Sequence, residues 1–289
     1  MSTTLNLVQG SDEWHLYRSN MCNASESAAV LGVNPWTTPY QLWLIKTGRH
    51  VQPVNVAMQR GTDLEPAARL AYETTTGNIM QPLVLQDGAY SASLDGMTLD
   101  GKLIVEIKCP MRGRQSELWQ RVAAGEVPQH YALQIQHQLM VSGAELAHLW
   151  VFDGHDGILC TVQRSESIME EIRASWDAFQ QFIDTDSPPP LSDADTVLRG
   201  DSEWSAAAAD YLSAKREAES ATARLDAVKE RLAGLCQHPR EQGAGVSVTR
   251  YWKAGNVDYK RVPMLQGLDL NVYRGRAREE VRVTEKVSP

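Results

Sequence analysis

The alternation of apolar and polar positions divides the chain into helical and extended stretches before any chemistry is considered. Ser11 followed by Asp12, Glu13 and Trp14 predicts a capped helix start, and Gly32 closes a second short helix after Ser25. From about Ala57, the residues Met58, Gly61, Leu64, Ala68, Ala71 and Tyr72 recur at spacings of three and four, the helical period. Pro66 interrupts that pattern, so the helix is expected to kink or restart there, with Glu65 at the boundary. Leu83–Leu85, Ala89–Leu94 and Lys102–Lys108 read as short antiparallel strands separated by Asp87-Gly88, Asp95-Gly96 and Asp100-Gly101, all turn chemistry. Helical spacing returns over His130–Val141. A strand His148–Phe152, a turn Asp153–Gly157, a strand Ile158–Gln163 and a helix from about Ser167 to Ile183 follow. The order is mixed α/β.

The run Thr185–Pro190 stops any helix and favours a stiff, extended connection, so domains are expected at 1–186 and 187–289. The second region opens with a long helix, roughly Glu203–Leu235. Its Ala214, Ala218, Ala221, Leu225, Val228, Leu232 and Leu235 alternate spacings of four and three, a coiled-coil-like seam. Gly243–Gly245 breaks the chain, Val246–Trp252 and Val257–Val262 predict a hairpin around Ala254–Asn256, and the tail from Tyr273 is expected to be loosely ordered.

Length and composition narrow the function classes. A chain of 289 residues with 43% hydrophobic and 22% charged residues can bury a full core, and no apolar run approaches a membrane span, so a soluble protein is expected. The N-terminus has no basic start followed by an apolar run, which predicts a cytoplasmic location. Cys22, Cys109, Cys160 and Cys236 lie far apart and make no C-x-x-C pair, which speaks against a zinc site or a disulfide framework. A net charge of −8 argues against indiscriminate coating of nucleic acid but leaves room for an enclosed basic channel on an acidic protein.

The strongest chemical pattern is Ser93-Leu94-Asp95-Gly96 followed by Glu106-Ile107-Lys108. Alternate side chains of a strand share a face, so Glu106 and Lys108 project together while Ile107 turns to the core, and an Asp ending the preceding strand can meet them. Two carboxylates and a lysine suit Mg²⁺, which needs few carboxylates and keeps several waters, and a metal-bound water hydrolyses phosphodiesters at neutral pH. Lys108 could orient that water and offset charge on the phosphate. The competing reading is a plain Asp-Gly turn beside an exposed Glu-x-Lys pair. Glu65 is a candidate third carboxylate or a solvated helix residue. Tyr131, Gln134 and Gln138 lie at i, i+3 and i+7 on a polar but uncharged helix face, either an ordinary amphipathic face or a set of amide donors for water or phosphate.

Taken in order, Gly61-x-x-x-Glu65, Ser93-x-Asp95-Gly96, Glu106-x-Lys108 and Tyr131-x-x-Gln134 resemble the PD-(D/E)-x-K nuclease superfamily. With Trp14-His15-Leu16-Tyr17-Arg18 and Ala24-Ser25-Glu26, the stretch from Ser11 to Phe182 resembles the phage lambda exonuclease and YqaJ-type viral recombinase family. That resemblance implies a restriction-endonuclease-like α/β core with a central mixed sheet flanked by helices, here extended by a C-terminal helix and β-hairpin. It implies that Asp95, Glu106, the Ile107 carbonyl and Glu65 bind Mg²⁺, with Mn²⁺ able to substitute, and that Lys108 assists the water with support from Tyr131 and Gln134. Arg18, Ser25 and Ser93 would hold the 5′-terminal phosphate. For Ser25 the residue-level alternative is plain helix N-capping. Leu94 stands where the superfamily name has proline.

The activity so implied is 5′→3′ exonuclease action on double-stranded DNA ends, releasing mononucleotides and leaving 3′ single strands for annealing recombination. A homotrimeric ring and a phage single-strand annealing protein as partner follow from the same resemblance. Rival readings are a structure-specific or restriction-like endonuclease and a non-catalytic DNA-end-binding protein. The scattered cysteines disfavour the superfamily branch that carries an iron–sulfur cluster. The segment 245–263 resembles tails of some YqaJ-type phage proteins, and its Arg250, Tyr251, Trp252, Lys253, Lys260 and Arg261 suit either a single-strand binding surface or a sheet edge.

Overall fold

The computed structural model describes residues 2–253, 255, 256, 262–265, 268 and 275. They fall into two compact units, one running to Thr196 and one from Val197. The first contains, in order, β1 (Thr3–Leu5), α1 (Asp12–Ser19), β2 (Cys22–Asn23), α2 (Ser27–Val30), α3 (Pro39–Lys46), α4 (Val56–Thr76), β3 (Met80–Asp87), β4 (Tyr90–Thr98), β5 (Leu103–Lys108), α5 (Glu117–Ala123), α6 (Gln129–Ser142), β6 (Leu146–Phe152), β7 (Gly157–Gln163) and α7 (Glu166–Asp184). The second contains α8 (Ser202–Leu235), β8 (Arg240–Gly243) and β9 (Val246–Thr249).

The first unit is built on one seven-stranded mixed sheet in the order β1-β3-β4-β5-β6-β7, with β2 pairing parallel to β4. β5 and β6 run parallel and the remaining neighbours along that order antiparallel, because the β5–β6 connection is long enough to hold α5 and α6. Strand alternation sends apolar side chains to both faces. Ile104 and Leu149 pack with Leu133, Ile135 and Leu139 of α6 and with Met169, Ile172, Trp176 and Phe179 of α7. Val105, Ile107, Trp150 and Phe152 face the other way and pack against Ala68 and Tyr72 of α4. Complete burial of side chains such as Ile135 or Leu139 stabilises the fold by about 1.5–3 kcal/mol each.

Local signals account for several element ends. Ser11 caps α1 by accepting from Trp14 N, as expected, and Thr38 with Gln41 forms a capping box on α3 with Pro39 in the first turn. The α4 expectation needs correction: the helix runs without a break through Pro66, so Glu65 lies in its interior. Pro66 removes the hydrogen bond to the Thr62 carbonyl, and Thr62 and Pro66 are both exposed, so water can serve that carbonyl.

Asp95-Gly96 is likewise not a turn but part of β4. Gln81 pairs with Met97 and Leu83 with Leu94, so Asp95 and Gly96 together oppose Pro82, a β-bulge placed where the proline has no N–H for the ladder. Asp95 is therefore aimed by an irregular strand. The C-terminal hairpin also differs from expectation. β9 pairs with β8 across Ala244 (φ 50°) and Gly245 (φ 79°), the twin positive φ values of a type I′ turn. The expected second strand Val257–Val262 lies almost wholly outside the described residues, as do Lys260, Arg261 and all but one residue of the tail from Tyr273.

The bulge admits no side chain at Gly96. A Cβ there would stand 2.7 Å from Met80 Cβ and 2.9 Å from Val105 Cγ1. Gly96→Ala is expected to lower stability by about 1–3 kcal/mol, read as a lower urea midpoint; an unchanged midpoint would refute the tight bulge.

Candidate active site

The β4–β5 ladder consists of Gly96↔Val105 and Met97↔Ile104 and goes no further. Beyond it the strands part, and a side chain replaces the missing acceptor: Asp95 Oδ2 accepts from Ile107 N at 2.7 Å. This contact fixes Asp95 beside Glu106 and Lys108, which share the α6 side of β5 as strand alternation predicts. Arg69 of α4 donates from Nε to the Asp95 carbonyl at 2.6 Å and pairs with the Glu65 carboxylate, tying α4 to the same bulge.

Glu106 is 2% exposed, so its carboxylate must be satisfied from within the protein. Gln134 Nε2 donates to Oε1 at 2.7 Å, Gln138 Nε2 to Oε2 at 2.5 Å, and Lys108 Nζ donates to Oε1. The uncharged polar face of α6 is thus a pair of amide donors for one buried carboxylate. Lys108 Nζ also stands 5.1 Å from the Tyr131 ring centroid, over its face.

Electrostatics set this group apart from a surface cluster. Desolvation, and then the facing carboxylates of Glu106 and Glu65, hold the Asp95 carboxyl well above the ordinary range. Burial raises Glu65 too, with Arg69 opposing and Glu106 adding. Burial works against the Lys108 charge, but Glu106, then Tyr131 and Asp95, raise its pKa above the ordinary lysine value. Lys108 is therefore cationic at neutral pH.

The three residues assigned to a terminal phosphate form a second group linked through Trp14. Arg18 Nη2 donates to Ser25 Oγ at 2.8 Å, the guanidinium lies 4.5 Å from the Trp14 ring centroid, and Trp14 Nε1 donates to Ser93 Oγ at 2.9 Å. Ser25 sits inside the short turn Ala24–Glu26, where Asn23 holds the cap position, so Ser25 is not the N-cap. Gln138 Nε2 also reaches the Ser93 carbonyl at 3.4 Å and so connects this group to Glu106.

All ten residues singled out in the sequence are therefore in one region of the first unit. Three further residues position this group: Gln138, read from the sequence only as part of the polar α6 face, Trp14, read only as part of the family motif, and Arg69, four residues after Glu65, which was not singled out. Nothing local in the sequence marks Arg69. In the second unit, Tyr251 and Trp252 are exposed.

A mixed sheet between helical layers, with carboxylates and a lysine where two central strands part, is a restriction-endonuclease-like architecture. Within that class, residues 13–145 match the family model described as YqaJ-like viral recombinase domain. The chain is 28% identical over 221 residues to the uncharacterized protein YqaJ of Bacillus subtilis strain 168, a match covering 72% of this chain and 64% of that protein. It thus spans less than two thirds of that relative's length. Among solved structures, an alkaline exonuclease from Laribacter hongkongensis is 26% identical with a TM-score of 0.52, covering 60% of this chain and 93% of the other. The complex of that exonuclease with dAMP gives 25% identity and a TM-score of 0.50, with the same coverages. The family resemblance read from the sequence is borne out. Among the described residues no helix is long and apolar enough to cross a membrane.

The raised Asp95 pKa gives a signed test. Such a carboxyl contributes stability below the unfolded value of ~3.9 and loses it as pH rises through the folded pKa. In EDTA at pH 8, Asp95→Asn should therefore melt above the wild type by about 2–4 °C, equivalent to roughly 1 kcal/mol, and the two should converge near pH ~4. A variant that melts below the wild type at pH 8 would contradict the crowding of carboxylates.

Proposed function

We propose that this protein is a Mg²⁺-dependent 5′→3′ exonuclease on double-stranded DNA ends, releasing mononucleotides and leaving 3′ single strands for annealing recombination. Its main support is the convergence of Asp95, Glu106 and Lys108 where β4 and β5 part. The similarity to an alkaline exonuclease, and the dAMP held by that relative, support a nucleotide product.

The donor set fits a Mg²⁺ ion better than a fully protein-lined cation. Among the described residues no group of three or more His, Cys, Asp and Glu side chains is arranged to hold a metal. Mg²⁺ needs only one or two carboxylates, filling its shell with water and phosphate. Asp95, Glu106 and the Ile107 carbonyl would hold it, with Glu65 beside them, and a divalent cation would offset both the burial and the carboxylate repulsion that raise Asp95. Mn²⁺ would serve as a substitute. When bound, the ion would supply an activated water and polarise the scissile phosphate.

The chain's own groups do the remaining work. Gln134 and Gln138 fix the Glu106 carboxylate without adding charge. Lys108 offers N–H donors and a positive charge to the attacking water and the pentavalent phosphate. Arg18, braced on Trp14, presents its guanidinium with the Ser25 and Ser93 hydroxyls to a 5′-phosphate. Breaking the bond between phosphorus and the 3′-oxygen of the departing nucleotide leaves a new 5′-phosphate, so each turnover regenerates the end this pocket accepts. A cytoplasmic homotrimer encircling DNA, working beside a phage single-strand annealing protein, completes the reading.

Linear duplex labelled on a 5′-phosphorylated strand, with Mg²⁺ or EDTA, tests the activity. The wild type should release labelled mononucleotides only with Mg²⁺, and Lys108→Ala should be slower by about 10²–10³-fold. Release from the 3′ end, cutting of closed circular plasmid, or full activity in the variant would each sink this reading. A preference for 5′-phosphate over 5′-hydroxyl ends should appear in the wild type and disappear in Arg18→Ala. Equal rates on both ends in the wild type would remove the phosphate role of Arg18, Ser25 and Ser93.

A further inference from the structure

Tyr131 has a second neighbourhood beyond Lys108. It lines a cavity of about 410 Å³ together with Trp36, Leu118, Arg121, Pro128 and His130. Trp36 is 65% exposed, an unusual state for the largest side chain, and its ring stands edge-on to His130 at 5.1 Å and tilted to Tyr131 at 6.3 Å. Within this group His130 Nε2 is shielded from solvent and meets no hydrogen-bond partner among the described residues. Burial, then the Lys108 and Arg121 charges, lower the His130 pKa, so its ring is neutral at pH 7 and carries one donor and one acceptor nitrogen. An aromatic wall and a cavity at the lower end of the range for small-ligand sites match the flat face of a heterocycle.

We propose that this cavity receives a nucleobase of the strand being cleaved, with Trp36 stacking on its face. The proposal rests on the nuclease reading for its location: Tyr131 lines the cavity and also carries Lys108 over its ring, so a nucleotide whose phosphate lies at Lys108 has the cavity beside it for its base. Stacking is tolerant of sequence, because every base has a π-face. The site would therefore hold whichever base arrives, as a processive enzyme needs, and would reject a sugar-phosphate lacking one.

The test measures binding, so it does not depend on turnover. Equilibrium affinities of the full-length protein are compared for a 2′-deoxynucleoside 5′-monophosphate and for 2-deoxyribose 5-phosphate. The wild type should prefer the nucleotide by roughly tenfold or more, Trp36→Phe should keep most of that preference, and Trp36→Ala should abolish it. Because Trp36 is largely exposed, its truncation removes little packing, and an unchanged circular dichroism spectrum checks the fold. No preference in the wild type, or a preference that survives Trp36→Ala, overturns the base site. A preference lost in Trp36→Ala upholds it even if the protein cuts no DNA, in which case only the exonuclease reading fails.

Discussion

β4 and β5 stop exchanging backbone hydrogen bonds after Gly96 and Val105, and the rest of the first unit is arranged around the gap. A strand that parts from its neighbour inside a sheet leaves N–H groups that must find acceptors or pay a desolvation cost. Here the Asp95 side chain takes the Ile107 N–H, so one carboxylate is held in place by the same defect that opens the cleft. The bulge across Pro82 sets the angle, and Arg69 anchors the Asp95 carbonyl from the helix behind. Geometry that would be strain elsewhere is here shared among three elements.

The second constraint is the burial of Glu106. A nearly inaccessible carboxylate facing a second one needs compensation, and two glutamines with one lysine supply it. Neutral amides satisfy the oxygens without adding positive charge, so three carboxylates, Asp95, Glu106 and Glu65, face only two cations, Lys108 and Arg69. Two more cations would have satisfied the same oxygens and cancelled the excess negative charge. One carboxylate of the site is thus left without a matching cation.

Much of this was legible in the chain because it depends on periodicity. The Glu106-Ile107-Lys108 alternation follows from the pitch of a strand, and the Tyr131, Gln134 and Gln138 face from that of a helix. The misreadings share a cause. Asp95-Gly96 has the composition of a turn, and only the register with β3, in which Pro82 lies opposite, makes it a bulge. Pro66 reads as a helix break, and only its position on the exposed side of α4 lets the helix continue. The strand Arg240–Gly243 has no apolar alternation of its own and is defined by its partner. Arg69 escaped notice, and Trp14 was visible only as a motif residue, because their roles come from contacts distant in sequence, Trp14 to Ser93 and Arg69 to Asp95.

Pro66 also divides α4 energetically. Ahead of it, from Val56 to Glu65, no side chain is buried, whereas Ala68 and Tyr72 just behind it are wholly enclosed. With one rung of the helical ladder missing at the junction, the leading half can fray and re-form while the trailing half stays clamped to the sheet. Amide exchange along this single helix would then fall into a fast block and a slow block. Glu65 belongs to the fast block and Arg69 to the slow one, so the acidic cluster is gripped on one side by the core and on the other by a segment that can let go.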